Sequence, residues 1–207
     1  MKITKFDHSC FYLEKDGRGL LFDPVEYDNK LPDFDNIDVI VVTHSHSDHF
    51  QPEVLSRIRG KNPNCLVFTA ADNVEATPGA GAPNAGDKVT AGVFELAFFG
   101  ASHAAIVPGQ VPCENLCVMV DGVLVNSGDS FDLPPRTPEI LLAPVSAPWM
   151  KTSEVMEFIK AVRPKVVLPT HDALNSSLGN TIYDNWIRKA CEEAGAEYKD
   201  THLGEVA

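Results

Sequence analysis

Between positions 44 and 49 the chain reads His44-Ser45-His46-Ser47-Asp48-His49, three imidazoles and a carboxylate within six residues. Imidazole nitrogen and carboxylate oxygen are good ligands for zinc and similar divalent ions. In an extended stretch, residues two apart point the same way, so His44 and His46 can converge on one ion. Asp48 and His49, past a bend, can face a second. The plainer alternative is a polar loop whose histidines meet solvent, at the cost of crowding like charges in mildly acidic conditions. Two ions need more donors than this loop supplies. His103, Asp129 and His171 are suitable, each at the end of an expected strand, where loops commonly carry function. With them, five of the seven histidines of the chain fall into one constellation.

The elements that must position these residues are legible in the apolar pattern. Residues 38–43 are apolar on both faces, as in a strand buried on both sides, and the histidine loop follows directly. Pro52 then opens a short helix to about Arg59, with Gly60 as its stop. Short runs at 3–6, 10–14 and 19–22 read as strands, with Asp16-Gly17 as a hairpin turn. Further strands are expected at 65–69, 93–99, 115–120, 123–126, 140–142 and 165–168. Residues 76–88, rich in Gly, Pro and Ala, form an irregular loop; the spacing does not match a phosphate-binding glycine motif. Two helices are expected. In 152–162, Val155, Phe158, Ile159 and Val162 share a face, and in 181–194, Ile182, Trp186, Ala190 and Ala194 do so, both stripes being core-facing. Strands in clusters with helices between and after them imply sheets covered by helices.

The length of 207 residues suits a single domain over 1–207. Asp and Glu number 29 against 17 Lys and Arg, a formal charge of −12. That balance argues against a nucleic-acid binder, which needs a basic face, and against docking on an anionic membrane. It leaves anionic small substrates open, because bound cations reverse the local sign. No run approaches the roughly 20 apolar residues of a membrane span, and the charged start lacks a signal-peptide pattern. The five cysteines (10, 65, 113, 117, 191) are odd in number and scattered. Reduced thiols in a soluble, cytoplasmic protein are the expectation. Cys113 and Cys117 lack the second pair of a structural zinc site and read as free thiols.

Taken in order, Leu21-Phe22-Asp23-Pro24, the His44–His46–Asp48–His49 core, His103, Gly128-Asp129 and His171 resemble the metallo-β-lactamase superfamily of metal-dependent hydrolases. The opening Asp7-His8-Ser9-Cys10 looks most like its branch containing L-ascorbate-6-phosphate lactonase. The resemblance implies an α+β fold, an αββα sandwich of two face-to-face mixed sheets with helices on the outer faces and a dinuclear site along one edge. By position, His44, His46 and His103 would hold one ion, Asp48, His49 and His171 the other, and Asp129 would bridge them. The ions would be zinc, with manganese or iron as alternatives. Asp23 would accept a hydrogen bond from a ligand imidazole and fix its orientation, or else serve as a turn-former before Pro24. Activated water would attack a small-molecule lactone, ester, amide or phosphodiester, with Asp48 relaying a proton. His8, in the first strand-to-strand turn, would contact substrate or sit as a surface turn residue. Trp149, with Met150, would wall the substrate cleft or pack in the core; His202 reads as solvated. An iron-dependent redox enzyme on the same scaffold is the alternative, although flavodiiron relatives usually have Glu at the position of His46. A non-catalytic metal- or ligand-binding relative is another, and its symptom, missing ligands, is not seen. Oligomeric state is open.

Overall fold

The computed structural model describes residues 1–200 and 203–205, and His202 lies outside them. Alternating apolar residues in the first fifth of the chain build an antiparallel run of β1 (Lys2–Lys5), β2 (Phe11–Lys15) and β3 (Arg18–Phe22). The β2–β3 turn is Asp16-Gly17, both in left-handed backbone at φ 52° and 72°, the pairing that matches the twist of a tight hairpin. β4 (Ile37–Val42) joins β3 in parallel, α1 (Pro52–Lys61) crosses over, and β5 (Leu66–Thr69) extends the sheet. Proline opens α1, where its missing N–H costs nothing. The helix runs past Gly60 to Lys61, and the Asn62 side chain closes it, Nδ2 donating to the Ile58 carbonyl at 3.0 Å.

The second sheet starts as an antiparallel meander of β6 (Lys88–Ala91), β7 (Phe94–Phe99), β8 (Cys117–Val120) and β9 (Leu124–Asn126). It continues in parallel through β10 (Ile140–Pro144) and β11 (Val166–Thr170), separated by α2 (Thr152–Val162), and then, after α3 (Ser177–Ala194), to β12 (Glu197–Tyr198). A short β13 (Gly204–Glu205) returns to pair with β1. Three strands, β6, β12 and β13, were not expected from the sequence; all are short and lie at or near sheet edges, where one apolar face or none is needed.

Three apolar layers result. Phe11, Leu13, Leu20, Phe22, Val39 and Val41 face Leu96, Phe98, Val118, Val120, Leu142 and Leu168 between the sheets. Their neighbours Leu21, Ile40 and Val42 point out beneath Val54, Leu55 and Ile58 of α1, as strand alternation requires. On the far side, Met119, Val125 and Leu141 meet Val155, Phe158 and Ile159 of α2 and Ile187 of α3. The chain therefore folds as the αββα sandwich that the resemblance implied.

The α3 stripe is a correction. The helix starts at Ser177, capped by the Ser176 hydroxyl, and buries Asp184, Ile187, Ala190 and Cys191. Ile182 and Trp186 are instead half exposed, at 50% and 49%. The buried face is turned because Asp184, polar in isolation, accepts a 2.7 Å hydrogen bond from the Tyr198 hydroxyl of β12 and so can be buried. Among the described residues no helix is long and apolar enough to cross a membrane.

Candidate metal centre

Each residue of the constellation follows the carboxyl end of a strand, so loops from both sheets meet along one edge. Residues 43–49 follow β4, His8 and Asp23 follow β1 and β3, and His103, Asp129 and His171 follow β7, β9 and β11. His8, Asp23 and His171 hold left-handed backbone at φ 58°, 41° and 63°. Residues other than glycine seldom adopt it, and where they do the surrounding structure must enforce it.

The fold brings all seven expected ligand residues together. His44, His46 and His103 offer nitrogens within 4.8 Å of one another, as do the ligand atoms of Asp48, His49 and His171, with His8 joining the second set. Asp129 lies between the sets. Its Oδ2 is 3.2 Å from His103 Nε2 and 3.9 Å from His44 Nε2, and its Oδ1 is 2.8 Å from His171 Nε2 and 3.3 Å from His49 Nε2. Gly128 at φ 54° turns the chain so that Asp129 points inward, and the Asp129 amide donates to Asn115 Oδ1 at 3.0 Å.

Tautomers decide what these atoms can bind. His49 Nδ1 donates to Asp23 Oδ2 at 2.8 Å, and His103 Nδ1 donates to the Ala104 carbonyl. A neutral imidazole has one N–H, so Nε2 of both rings presents a lone pair. His49 Nε2 nevertheless stands 2.8 Å from His171 Nε2, and His103 Nε2 faces a carboxylate oxygen. His44 Nε2, His103 Nε2 and Asp129 Oδ1 are buried with no hydrogen-bond partner. Acceptors turned on one another out of water are unfavourable unless a cation lies among them. The donor set therefore fits divalent metal ions of the zinc, manganese and iron type.

The electrostatics agree. Burial pushes the His44 imidazole well below its usual range, with His49 adding to the effect, and lowers His46 and then His8, the latter to about 4. Such rings are neutral, ligand-competent imidazoles at neutral pH. His49 moves the other way: burial opposes its charge, yet Asp129 and Asp23 carry it up to about 9, so without a cation this one ring is charged at neutral pH, and a bound ion would take the place of its Nε2 proton. Burial likewise works against the carboxylates of Asp129 and Asp48, and is outweighed by His49 and His171 around Asp129 and by His8 and His49 around Asp48, so both fall below the ordinary range.

Asp23 is fully buried and accepts three hydrogen bonds, from the Thr43 amide at 2.7 Å, the Thr43 hydroxyl at 2.9 Å and His49 Nδ1. It thus fixes the ring at one end of the histidine loop and the backbone at the other. Trp149 is half buried; its indole N–H donates to Asp129 Oδ2 at 2.7 Å, and its ring packs 5.1 Å from Phe131. It meets the centre through that carboxylate and through an edge contact with His103, ring centroids 5.8 Å apart. Replacing Trp149 with phenylalanine keeps the packing and removes the N–H. The expected result is metal affinity weakened about 10–100-fold, measured by titration, with little change in melting temperature.

Two features were missed by sequence reasoning. Cys113 Sγ lies 3.7 Å from His46 Nε2, although Cys113 and Cys117 are free thiols as expected. The Ser102–Glu114 bridge returns the chain to the site after the 104–113 excursion, and no local pattern announces it. Lys5, whose side chain is 0% exposed, donates to Asp172 Oδ2 at 2.6 Å. This pair ties β1 to the segment leaving β11, next to His171. The adjacency of Asp172 to a candidate ligand was the one available signal.

Sheet order, helix placement and an edge lined with imidazoles define a metallo-β-lactamase-type scaffold. A family profile described as "Beta-lactamase superfamily domain" matches residues 2–171, ending on His171 itself, and the chain belongs to that superfamily. Protein Rv0786c of Mycobacterium tuberculosis is 30% identical over 192 residues, covering 88% of this chain and 89% of its own. A "UPF0173 metal-dependent hydrolase" of Aeropyrum pernix is 26% identical over 202 residues, covering 82% and 81%. Among solved structures, Igni18, a metallo hydrolase from the archaeon Ignicoccus hospitalis, superposes with a TM-score of 0.72 at 22% identity, covering 99% of this chain and 97% of that one.

Proposed function

We propose that the protein is a metal-dependent hydrolase of small molecules, a single domain working through a dinuclear centre. The observation that carries this reading is the division of Asp129, with one oxygen toward His44 and His103 and the other toward His49 and His171. In this assignment His44, His46 and His103 hold one ion, Asp48, His49 and His171 hold the other, and Asp129 serves both. Zinc suits the imidazole-rich set, and manganese or iron would also be accepted. Such ions, when bound, polarise a carbonyl or phosphoryl oxygen and make water nucleophilic near neutral pH.

The chain's own residues do the remainder. Asp23 and Thr43 orient His49, and Trp149 holds Asp129. Of the carboxylates at the centre, Asp48 is the open one, its side chain 25% exposed against 0% for Asp23 and 2% for Asp129. It can accept the proton of the attacking water and pass it to the leaving group. His8, with no exposed side-chain surface, stands with Nε2 3.4 Å from Asp48 Oδ2. The substrate is a lactone, ester, amide or phosphodiester, and the lactone class goes with the resemblance of the Asp7–Cys10 opening to lactonases. The net charge of −12 disfavours polyanionic substrates such as RNA. A cytoplasmic location, where five free thiols stay reduced, goes with this reading.

A panel of lactones, carboxylic esters, amides and bis-p-nitrophenyl phosphate tests it. At least one class should be turned over, with activity lost on chelation and restored by zinc or manganese. Turnover indifferent to exhaustive chelation would refute the proposal.

A further inference from the structure

His8 is a histidine for which neither of the two proposed ligand sets has a place. Its side chain is wholly buried, yet neither ring nitrogen has a hydrogen-bond partner. It sits in the tight β1–β2 connection, closed by the Cys10 amide on the Asp7 carbonyl at 3.0 Å. The Asp7 carboxylate is itself anchored, accepting from the Asn29 amide at 3.0 Å and the Asn29 side chain at 2.9 Å. This frame holds His8 in left-handed backbone at φ 58°. The conformation turns the ring onto the centre, with its centroid 4.1 Å from that of His171 and 5.7 Å from that of His49. His8 Nε2 is 3.4 Å from Asp48 Oδ2. Its ligand atom, together with those of Asp48, His49 and His171, lies inside one 4.8 Å cluster.

A turn held in an uncommon conformation, delivering a buried imidazole whose Nε2 has only the 3.4 Å approach to Asp48 Oδ2 into a group of ligand atoms, is a metal-binding arrangement. We infer that His8 is an additional protein ligand of the ion held by Asp48, His49 and His171. The inference rests on the two-ion reading above and extends it: the two ions differ in their donors, three imidazoles on one side, three imidazoles and the Asp48 carboxylate on the other, with Asp129 common to both. Loss of His8 should therefore affect one ion and spare its neighbour.

The test uses the intact chain loaded with zinc. In the wild type, ring-nitrogen spectra of 15N-histidine-labelled protein should show six of the seven histidines carrying a metal-bound nitrogen. Five would overturn the inference and leave His8 as a hydrogen-bonding neighbour of Asp48. In His8→Ala, shown to be folded by circular dichroism, metal analysis and calorimetry should find one ion bound as in the wild type and the other weakened at least about 10-fold. Two ions with unchanged affinities would equally overturn it. A variant that does not fold leaves the wild-type spectrum to decide. Wild-type protein that binds no metal contradicts the underlying two-ion proposal instead, so the two failures are distinguishable.

Discussion

Asp129→Asn should lose about a thousandfold in kcat/KM, roughly 4 kcal/mol of transition-state stabilisation, while its fold loses far less when both proteins are stripped of metal. The two effects differ in size for one physical reason. Asp129 is 1% exposed and faces four imidazole nitrogens with two carboxylate oxygens. A negative charge there serves two cations; an asparagine keeps the volume but offers one neutral oxygen and an NH2. Metal affinity and activity therefore fall together. In the stripped protein, however, the new NH2 can donate to a lone pair such as His171 Nε2, which offsets part of the loss of a carboxylate that His49 and His171 favour. Thermal melting in chelator, compared with kinetics in metal-replete buffer, separates the two effects. A variant that melts much lower in chelator and keeps its activity would show that Asp129 is structural.

Asp23→Ala is expected to be the most destabilising single change at the centre, at about 3–5 kcal/mol by denaturant unfolding. Three donors, the Thr43 amide, the Thr43 hydroxyl and His49 Nδ1, would lose their acceptor at a position that is 0% exposed. Alanine also tolerates the φ of 41° less well than aspartate, which visits that region more readily. Set against the total stability of an ordinary domain, about 5–15 kcal/mol, this loss is large. Asp23→Asn should cost less, since one oxygen can still accept from Thr43 while the bond to His49 is forfeited. It should nevertheless weaken metal binding, because His49 loses the partner that sets its tautomer. If Asp23→Ala unfolded within 1 kcal/mol of the wild type, Asp23 would be no more than the turn-former that its place before Pro24 also allows.

The histidine loop was legible because its donors are adjacent in sequence and follow a strand that is apolar on both faces. His103, Asp129 and His171 were legible as strand-end residues of ligand type, and their convergence at one edge follows from the strand directions. The alternating patterns of β2 and β7 and the apolar run of β3 announced the two sheets, and the Val155–Phe158–Ile159–Val162 stripe placed α2. What the sequence concealed depends on contacts between distant segments. The burial of Asp184 on α3 is made possible by Tyr198 of β12, and the stripe through Ile182 and Trp186 gave no hint of it. Lys5 is a charged residue at the end of a short strand, and nothing local announces its burial against Asp172 from the other sheet. Trp149 reads as an apolar wall, and only the folded chain shows its N–H on Asp129. His8 was noticed for its turn, whereas its burial and its approach to Asp48 belong to tertiary structure.

The most direct measurement is anomalous diffraction from crystals of metal-loaded protein, collected on both sides of the absorption edge of the ion supplied. Two peaks should flank the Asp129 carboxylate, one against His44, His46 and His103 and the other against Asp48, His49 and His171. A single peak, or peaks elsewhere with these side chains as they are here, would contradict the dinuclear centre and the hydrolytic function built on it.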